Sequence, residues 1–455
     1  MMKLPRILLA AGASGSGKTL VTCGLLQILT NRHIKTASFK CGPDYIDPMF
    51  HSRVIGTKSR NLDTFFTAPE VTRYLMGCNG ADCEMAVLEG VMGYYDGLAG
   101  ISSKASAWDV AEVTQTPAIL LVNSRGMSVS LAAYIKGFLD YKEDSHIKGV
   151  IFNRMSPMLY PRMKALVEKE LGIEVLGFVP EVPDCCLESR HLGLLLPHEI
   201  PALKEKLLHL AEILENTLDV ERILALAKDA PDLTEPDAEV LSRQNPDYSW
   251  KSGEPLRVGI ARDEAFCFFY EDNFRLLKEM GAELVFFSPL HDKKLPAQLD
   301  GLLLYGGYPE LFAKELSENL SMREEIRRSL SGGMACMAEC GGFMYLHREM
   351  EDMEKNIYPM VGAVDGKAYR TEKLGRFGYI TLYPGETPAH EFHYFDSTSC
   401  GDAYEAKKPL SKRGWHCIHD NGRLLAGFPH FYYYGNPGVP RRFLERCLAY
   451  KKERI

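Results

Sequence analysis

Two short stretches carry the residue types that chemistry needs. "GASGSGKT", residues 12–19, satisfies G-x-x-x-x-G-K-[ST] and follows an apolar run. Gly12, Gly15 and Gly17 free backbone N–H groups to cradle phosphates, Lys18 reaches the β/γ-phosphates, and the Thr19 hydroxyl suits Mg²⁺. "MAECGGFMYL", residues 337–346, reads as strand, sharp turn and helix, with Cys340 at the turn. A thiol at such an elbow is exposed to a substrate, with N–H groups nearby to receive an oxyanion. On that segment alone a buried structural cysteine is the commoner outcome, so the rest of the chain has to decide.

Carboxylates follow several predicted strands near the phosphate motif. "KCGPDYIDPMFH" supplies Asp44 and Asp47, and "VLEGVMGYYDG" supplies Glu89 and Asp96. In an open parallel sheet the carboxyl ends of the strands meet the ligand crevice, and hard oxygens there suit Mg²⁺. The thiol also has partners. "LLLYGGYPE" ends a strand in Gly306-Gly307, which could aim a backbone N–H at an oxyanion, and "AGFPHFYYYGNP" presents His430 after an apolar run. A neighbouring imidazole raises the thiolate content of a cysteine whose ordinary pKa is about 8.5. "AHEFHYF" holds His390 and His393 three apart, so the zinc motif H-E-x-x-H fails, and a structural turn is expected.

The elements that must position these residues are legible in outline. "RILLAAG", "KTASFK", "MAVLEG", "PAILLVN", "KGVIFN" and "VLGFVP" read as short strands. Amphipathic segments at 18–31, 127–140 and 159–171 lie between some of them, the signature of a parallel sheet covered by helices. Residues 202–228 look helical. The stretch 228–255 is polar, rich in Pro and Asp, and aperiodic, which marks a linker. Alternation then restarts with "LRVGIARD", "AELVFFS" and "GLLLYGG".

The bulk properties bound the function. The chain has 455 residues, room for two or three domains, and is 46% apolar and 25% charged, as soluble globular proteins are. A formal net charge of -7 gives no electrostatic reason to expect nucleic acid or an anionic membrane surface. Twelve cysteines without CxxC pairs fit a reducing compartment. "MMKLPRILLAAGA" runs straight into the phosphate motif and reads as a buried strand, not a signal peptide. No stretch approaches the roughly 18 apolar residues of a membrane span, so a cytoplasmic location is expected.

Taken together these motifs resemble the cobyrinic acid a,c-diamide synthase family, from residue 7 to about 437. The resemblance rests on "SGSGKT", "KCGPDYIDPMFH", "RNLDTF", "EGVMGYYDG", "GVIFNR", "LGFVP", "RHLGL", "ARDEAFCFFY", "FFSPL", "GGYPE", "AECGGFMYL" and "HEFHY", in that order. It implies an α/β fold in two domains: an N-terminal P-loop parallel-sheet ATPase domain like dethiobiotin synthetase, and a C-terminal class I glutamine amidotransferase-like domain. The expected division is 1–228, a linker at 229–254, and 255–455.

The resemblance also implies roles. Cys340 would be the glutaminase nucleophile, His430 its base, and the backbone at Gly307 and Gly341 the oxyanion hole. ATP would activate a substrate carboxylate as a phosphate ester, which ammonia converts to an amide. Thr19, Asp44 and Glu89 would hold or orient Mg²⁺, Asp47 and Asp96 would position substrate and phosphate, and Asn153 would lie on the adenine side. Arg190 and His191 are candidate cations for a polycarboxylate substrate. The expected partners are small molecules: a tetrapyrrole such as cobyrinic acid, glutamine and ATP. Neither nucleic acid nor a membrane is expected, and a homodimer is compatible with this reading.

Ala13 stands where partition-type P-loop ATPases carry a second lysine, which speaks against a DNA-partition or cell-division ATPase. The chain departs from the amidotransferase patterns at two places. Tyr432 stands two residues after the histidine, where ordinary class I amidotransferases have a Glu, so no carboxylate is expected to orient His430 from there. "TEKLGRFGY" is a loose version of the family's glycine-tyrosine segment. The alternative readings are a diamide synthase acting on nickel sirohydrochlorin, and a P-loop regulatory ATPase with a silent glutaminase domain. Cobyric acid synthase has the same two-domain plan but a different loop at "GPDYIDP".

Overall fold

The structure is a computed structural model that describes residues 1–185, 199–234 and 238–454, with the backbone alone at Ser189–Arg190 and Gly193–Leu194. The chain forms two compact units, Met1–Val240 and Leu241–Ile455.

The N-terminal unit is built on a seven-stranded sheet of order β3-β2-β4-β1-β5-β6-β7. The strands are β1 (Arg6–Ala11), β2 (Thr36–Cys41), β3 (Lys58–Leu62), β4 (Met85–Glu89), β5 (Ala118–Asn123), β6 (Ile147–Asn153) and β7 (Glu174–Val179). All neighbours run parallel. β1, β2 and β4 are buried along their whole length, because a parallel sheet covered on both faces leaves no solvent side. That is why they read as continuous apolar runs. β3, "KSRNL", is an edge strand paired only with β2, so its charged residues hide it from sequence reading. Helix α1 (Lys18–Asn31) starts inside the phosphate motif and packs against Leu203–Thr217.

The predicted helix over 202–228 is two helices, Leu203–Thr217 and Val220–Lys228. Leu218 between them is extended and pairs with Gly177, and the Asp219 side chain caps the second helix by accepting the Arg222 N–H. The aperiodic stretch 228–255 contains a helix, Ala238–Gln244, and a 3₁₀ turn, Pro246–Ser249, capped by Asn245.

The C-terminal unit has a six-stranded sheet whose successive strands are 282–287, 256–261, 301–304, 335–339, 424–427 and 419–420, the first five parallel. A five-stranded antiparallel sheet follows, with 387–393 between 376–383 and His430–Phe431. The segment around His390 and His393 is therefore a strand, Thr387–His393, and not the turn that its sequence suggests. It pairs with the preceding strand 376–383 in a hairpin and with the distant His430–Phe431 on its other side, and no local apolar alternation announces it.

Strand Ala335–Glu339 ends at Cys340, whose φ of 46° and ψ of -105° make the sharp turn into helix Gly341–Leu346. That helix lies so close to the sheet that a Cβ on Gly342 would fall 2.1 Å from the Leu304 carbonyl oxygen. Only glycine lets the elbow seat against the sheet there. Gly342→Ala is therefore expected to destabilise the C-terminal unit by about 1–3 kcal/mol, read as a lower urea midpoint. An unchanged midpoint would contradict this account of the elbow.

Candidate functional site

The sheet order puts the carboxyl ends of β1, β2 and β4 side by side, and side chains from β2, β4, α1 and the segment after β2 meet there. Thr19 Oγ1 donates to Glu89 Oε1 at 2.6 Å and lies 3.5 Å from Asp47 Oδ2. Lys40, at the end of β2, pairs with Asp47 and sits 2.8 Å from Glu89 Oε1. His51 Nε2 is 3.0 Å from Glu89 Oε2. Lys40, Asp47, His51 and Glu89 are all buried. Burial pushes Glu89 up, but Lys40 and His51 outweigh it and hold the carboxyl below the ordinary range. Burial, with Asp44 and Glu89 adding to it, pushes Asp47 well above that range. Burial works against the Lys40 ammonium, yet Asp47 and Glu89 outweigh it and keep the group charged.

The phosphate loop lies beside this cluster. Lys18 Nζ donates to the Ala13 and Met92 carbonyls at 3.1 and 2.5 Å. Burial and the nearby Lys40 lower its pKa to about 8. An arriving polyphosphate would raise it again by supplying the anion that these carbonyls only imitate. Asn153 Nδ2 donates to the Ser16 carbonyl at 2.8 Å and so braces the loop from the end of β6. Asp44 Oδ1 accepts the Ile46 N–H at 2.8 Å and lies 3.4 Å from the Asp47 nitrogen, fixing the turn that carries Asp47. Asp96 Oδ2 accepts the Gly93 N–H at 3.1 Å and faces a cavity of about 520 Å³ that Gly12, Tyr95, Tyr134, Phe138 and Tyr141 also line. Arg190 lies on a two-residue strand whose side chains are not described, and His191 lies outside the described residues.

Lys40 and His51 are the members that sequence reading misses. Both flank the loop "KCGPDYIDPMFH", and the signal was a lysine closing an otherwise buried strand. Asp47 and Glu89 face the Lys40 ammonium, and the Thr19 hydroxyl donates to the same Glu89 oxygen, so the hard oxygens of these three residues gather at one point.

In the C-terminal unit the turn at Cys340 is tied to the histidine strand. The Cys340 N–H donates to the Gly427 carbonyl at 2.8 Å, three residues before His430. Gly307 and Gly341 approach each other: a Cβ on Gly341 would lie 3.1 Å from the Gly307 nitrogen. Gly307 itself has φ 158°, and a Cβ there would strike the Ala265 carbonyl oxygen at 2.1 Å. The 306–308 turn is held against 265–268 by Tyr308 N–H to Ala265 and Phe268 N–H to Gly306, both 3.0 Å. The Gly341 N–H thus lies beside the thiol, with the Gly307 nitrogen close to Gly341.

Burial sets the electrostatics of this site. It pushes the Cys340 thiol well up, Glu310 and Glu391 add to that, and the Gly341 N–H opposes it. It pushes the His430 imidazole well down, with His390 and His393 adding to the effect. The His390 ring stacks on that of His430, centroids 4.9 Å apart and 21° between planes. Burial, with Lys408, lowers His390 to about 3, so it supplies a flat neutral face. Tyr432 donates to Asp272 Oδ2 at 3.0 Å. The acid found near His430 is Glu339, 3.5 Å from Nδ1, a residue that sequence reading leaves out.

No helix among the described residues is long and apolar enough to cross a membrane. All described cysteines are free.

Residues 7–194 match the CobQ/CobB/MinD/ParA nucleotide binding domain, and residues 257–437 match the CobB/CobQ-like glutamine amidotransferase domain. The chain is 37% identical to a cobyrinate a,c-diamide synthase of Caldanaerobacter subterraneus subsp. tengcongensis, over 98% of this chain and 100% of that one. It is 34% identical to the Priestia megaterium enzyme of the same name, covering 99% and 98% of the two chains. It is 36% identical to that of Thermoplasma volcanium, covering 100% and 99%. With both domains matched in order and likeness along its whole length, the chain belongs to the cobyrinate a,c-diamide synthase family.

Proposed function

We propose that this protein amidates the a and c carboxylates of cobyrinic acid, consuming ATP and glutamine. The observation that carries the reading is the pairing, in one chain of this family, of a P-loop crevice of buried acids with a thiol at a strand-to-helix elbow. A free carboxylate is a poor acyl donor, so an ATP site and a nitrogen source belong together.

In the N-terminal unit the P-loop N–H groups and Lys18 hold the phosphates, and Asn153 keeps the loop in shape. Thr19 and Glu89, with Asp44 fixing the adjacent turn, are the residues that would hold Mg²⁺. When bound, that ion would neutralise phosphate charge. Asp47 and Asp96 position phosphate and substrate, and the aromatic walls of the cavity beside Gly12 accommodate a macrocycle. A substrate carboxylate oxygen attacks the γ-phosphorus, ADP leaves, and an acyl phosphate results. Ammonia attacks the acyl carbon, phosphate leaves, and loss of a proton gives the amide.

In the C-terminal unit Cys340 gives its proton to His430 as the sulfur attacks the glutamine side-chain amide. The oxyanion is received by N–H groups at Gly307 and Gly341, and collapse releases ammonia carrying the transferred proton. Water then hydrolyses the thioester to glutamate. Because burial keeps thiol and imidazole neutral beforehand, the proton moves only as charge forms at the oxyanion.

Two variants test the halves separately. Lys18→Ala is expected to abolish amidation with glutamine and with ammonium salts alike, because no carboxylate is activated. Normal product from that variant would remove the phosphate assignment. Cys340→Ala is expected to lose glutamine-supported amidation and keep the ammonium-supported reaction, more so at higher pH where free NH₃ is abundant. His430→Ala should show the same split less completely. Full glutamine-dependent activity in Cys340→Ala, or equal loss with both nitrogen sources, would contradict the glutaminase half.

A further inference from the structure

We propose that Glu339, the residue immediately before the thiol, positions His430 in place of the carboxylate that ordinary class I amidotransferases carry two residues after the histidine. The inference rests on the glutaminase reading of Cys340 and goes beyond it, because it names the group that sets the imidazole's orientation and tautomer.

The geometry is direct. Glu339 Oε2 lies 3.5 Å from His430 Nδ1, and each side chain is 2% exposed. The same oxygen accepts the backbone N–H of Phe431 at 3.4 Å, which pins the carboxyl against the strand that carries the histidine. Strand Ala335–Glu339 pairs in parallel with Leu424–Gly427, Glu339 opposite Gly427, and that register aims the acid at the residues that follow. Glu339 Oε1 is buried with no hydrogen-bond partner among the described residues. A buried acid with one oxygen unpartnered costs stability, and an apolar residue would fill the site more cheaply, so its presence needs a functional reason.

Two other acids nearby are engaged elsewhere. Asp272 accepts the hydroxyl of Tyr432, the residue at the usual acid position. Glu391 is held by His393 at 3.1 Å and by the Trp415 N–H at 3.3 Å. His390 offers His430 a stacked ring and no charge.

The chemistry follows from which nitrogen each group faces. With Nδ1 turned to Glu339, Nε2 is left to take the thiol proton. Burial pushes the Glu339 carboxyl well up, with the Phe431 N–H opposing it. As positive charge forms on His430 while the sulfur attacks, a carboxylate facing Nδ1 stabilises that imidazolium and keeps the proton on Nδ1. The proton then leaves on ammonia, so Glu339 ends each turnover as it began. The 3.5 Å separation shortens as positive charge grows on the ring.

The test measures glutamine hydrolysis and ammonium-supported amidation in the full chain. Glu339→Gln should lower glutaminase kcat by on the order of 100-fold, with the KM for glutamine within about two-fold and the ammonium-supported rate unchanged. Glu339→Asp, which keeps a charge one methylene farther away, should fall between the two and guards against a Gln variant that folds poorly. Asp272→Asn should keep wild-type kcat. A Glu339→Gln enzyme with more than half of wild-type kcat would overturn the proposal. So would loss of both nitrogen-source activities together, or an Asp variant no better than Gln, since each is the mark of a merely structural acid. A wild-type chain without glutaminase activity would instead remove the reading of Cys340, and this inference with it.

Discussion

The Lys40 ammonium, buried between Asp47 and Glu89, is the interaction on which the N-terminal unit's site depends. An unpaired Lys40 ammonium would be intolerable in a dry interior, where removing one member of a buried ion pair costs about 3–5 kcal/mol. Together with Thr19 and His51 they tie the ends of β2 and β4 to the start of α1. The phosphate loop is then presented beside a preformed set of oxygens. The parallel sheet makes this geometry available, because it brings the carboxyl ends of non-consecutive strands to one edge.

The C-terminal unit solves an opposite problem. Its site is dry and holds its thiol and imidazole neutral, which protects the cysteine from adventitious reaction while no substrate is bound. Reactivity then depends on orientation. The strained turn at Cys340, the close approach of Gly341 to Gly307, and the acid behind His430 are all backbone-determined positions. In the proposed glutaminase reaction, small shifts of the sheet would separate groups that act within one proton transfer.

The sequence reveals those parts that local physics dictates. β1, β2 and β4 are visible because burial on both faces demands apolar runs, and the elbow at Cys340 because its glycines permit only a tight seat. β3 escapes notice because an edge strand tolerates Lys58 and Arg60. The strand Thr387–His393 escapes because it lacks an apolar alternation, and one of its partners, His430–Phe431, lies far along the chain. Lys40 reads as an ordinary strand-end lysine until Asp47 and Glu89 are folded onto it. Glu339 is hidden in plain view: it adjoins the thiol in sequence, yet its contact is with a residue far along the chain, created only when strand 335–339 pairs with 424–427.

The most direct measurement of the central claim is isotopic. Wild-type protein is supplied with cobyrinic acid, ATP, Mg²⁺ and glutamine labelled with ¹⁵N in its side-chain amide, and the products are analysed by mass spectrometry beside a parallel reaction with nickel sirohydrochlorin. The account predicts a cobyrinic acid a,c-diamide carrying the label in both new amides, formed only when ATP is present and faster than any product from nickel sirohydrochlorin. Unlabelled or absent diamide, label incorporated without ATP, or preferential amidation of nickel sirohydrochlorin would contradict it.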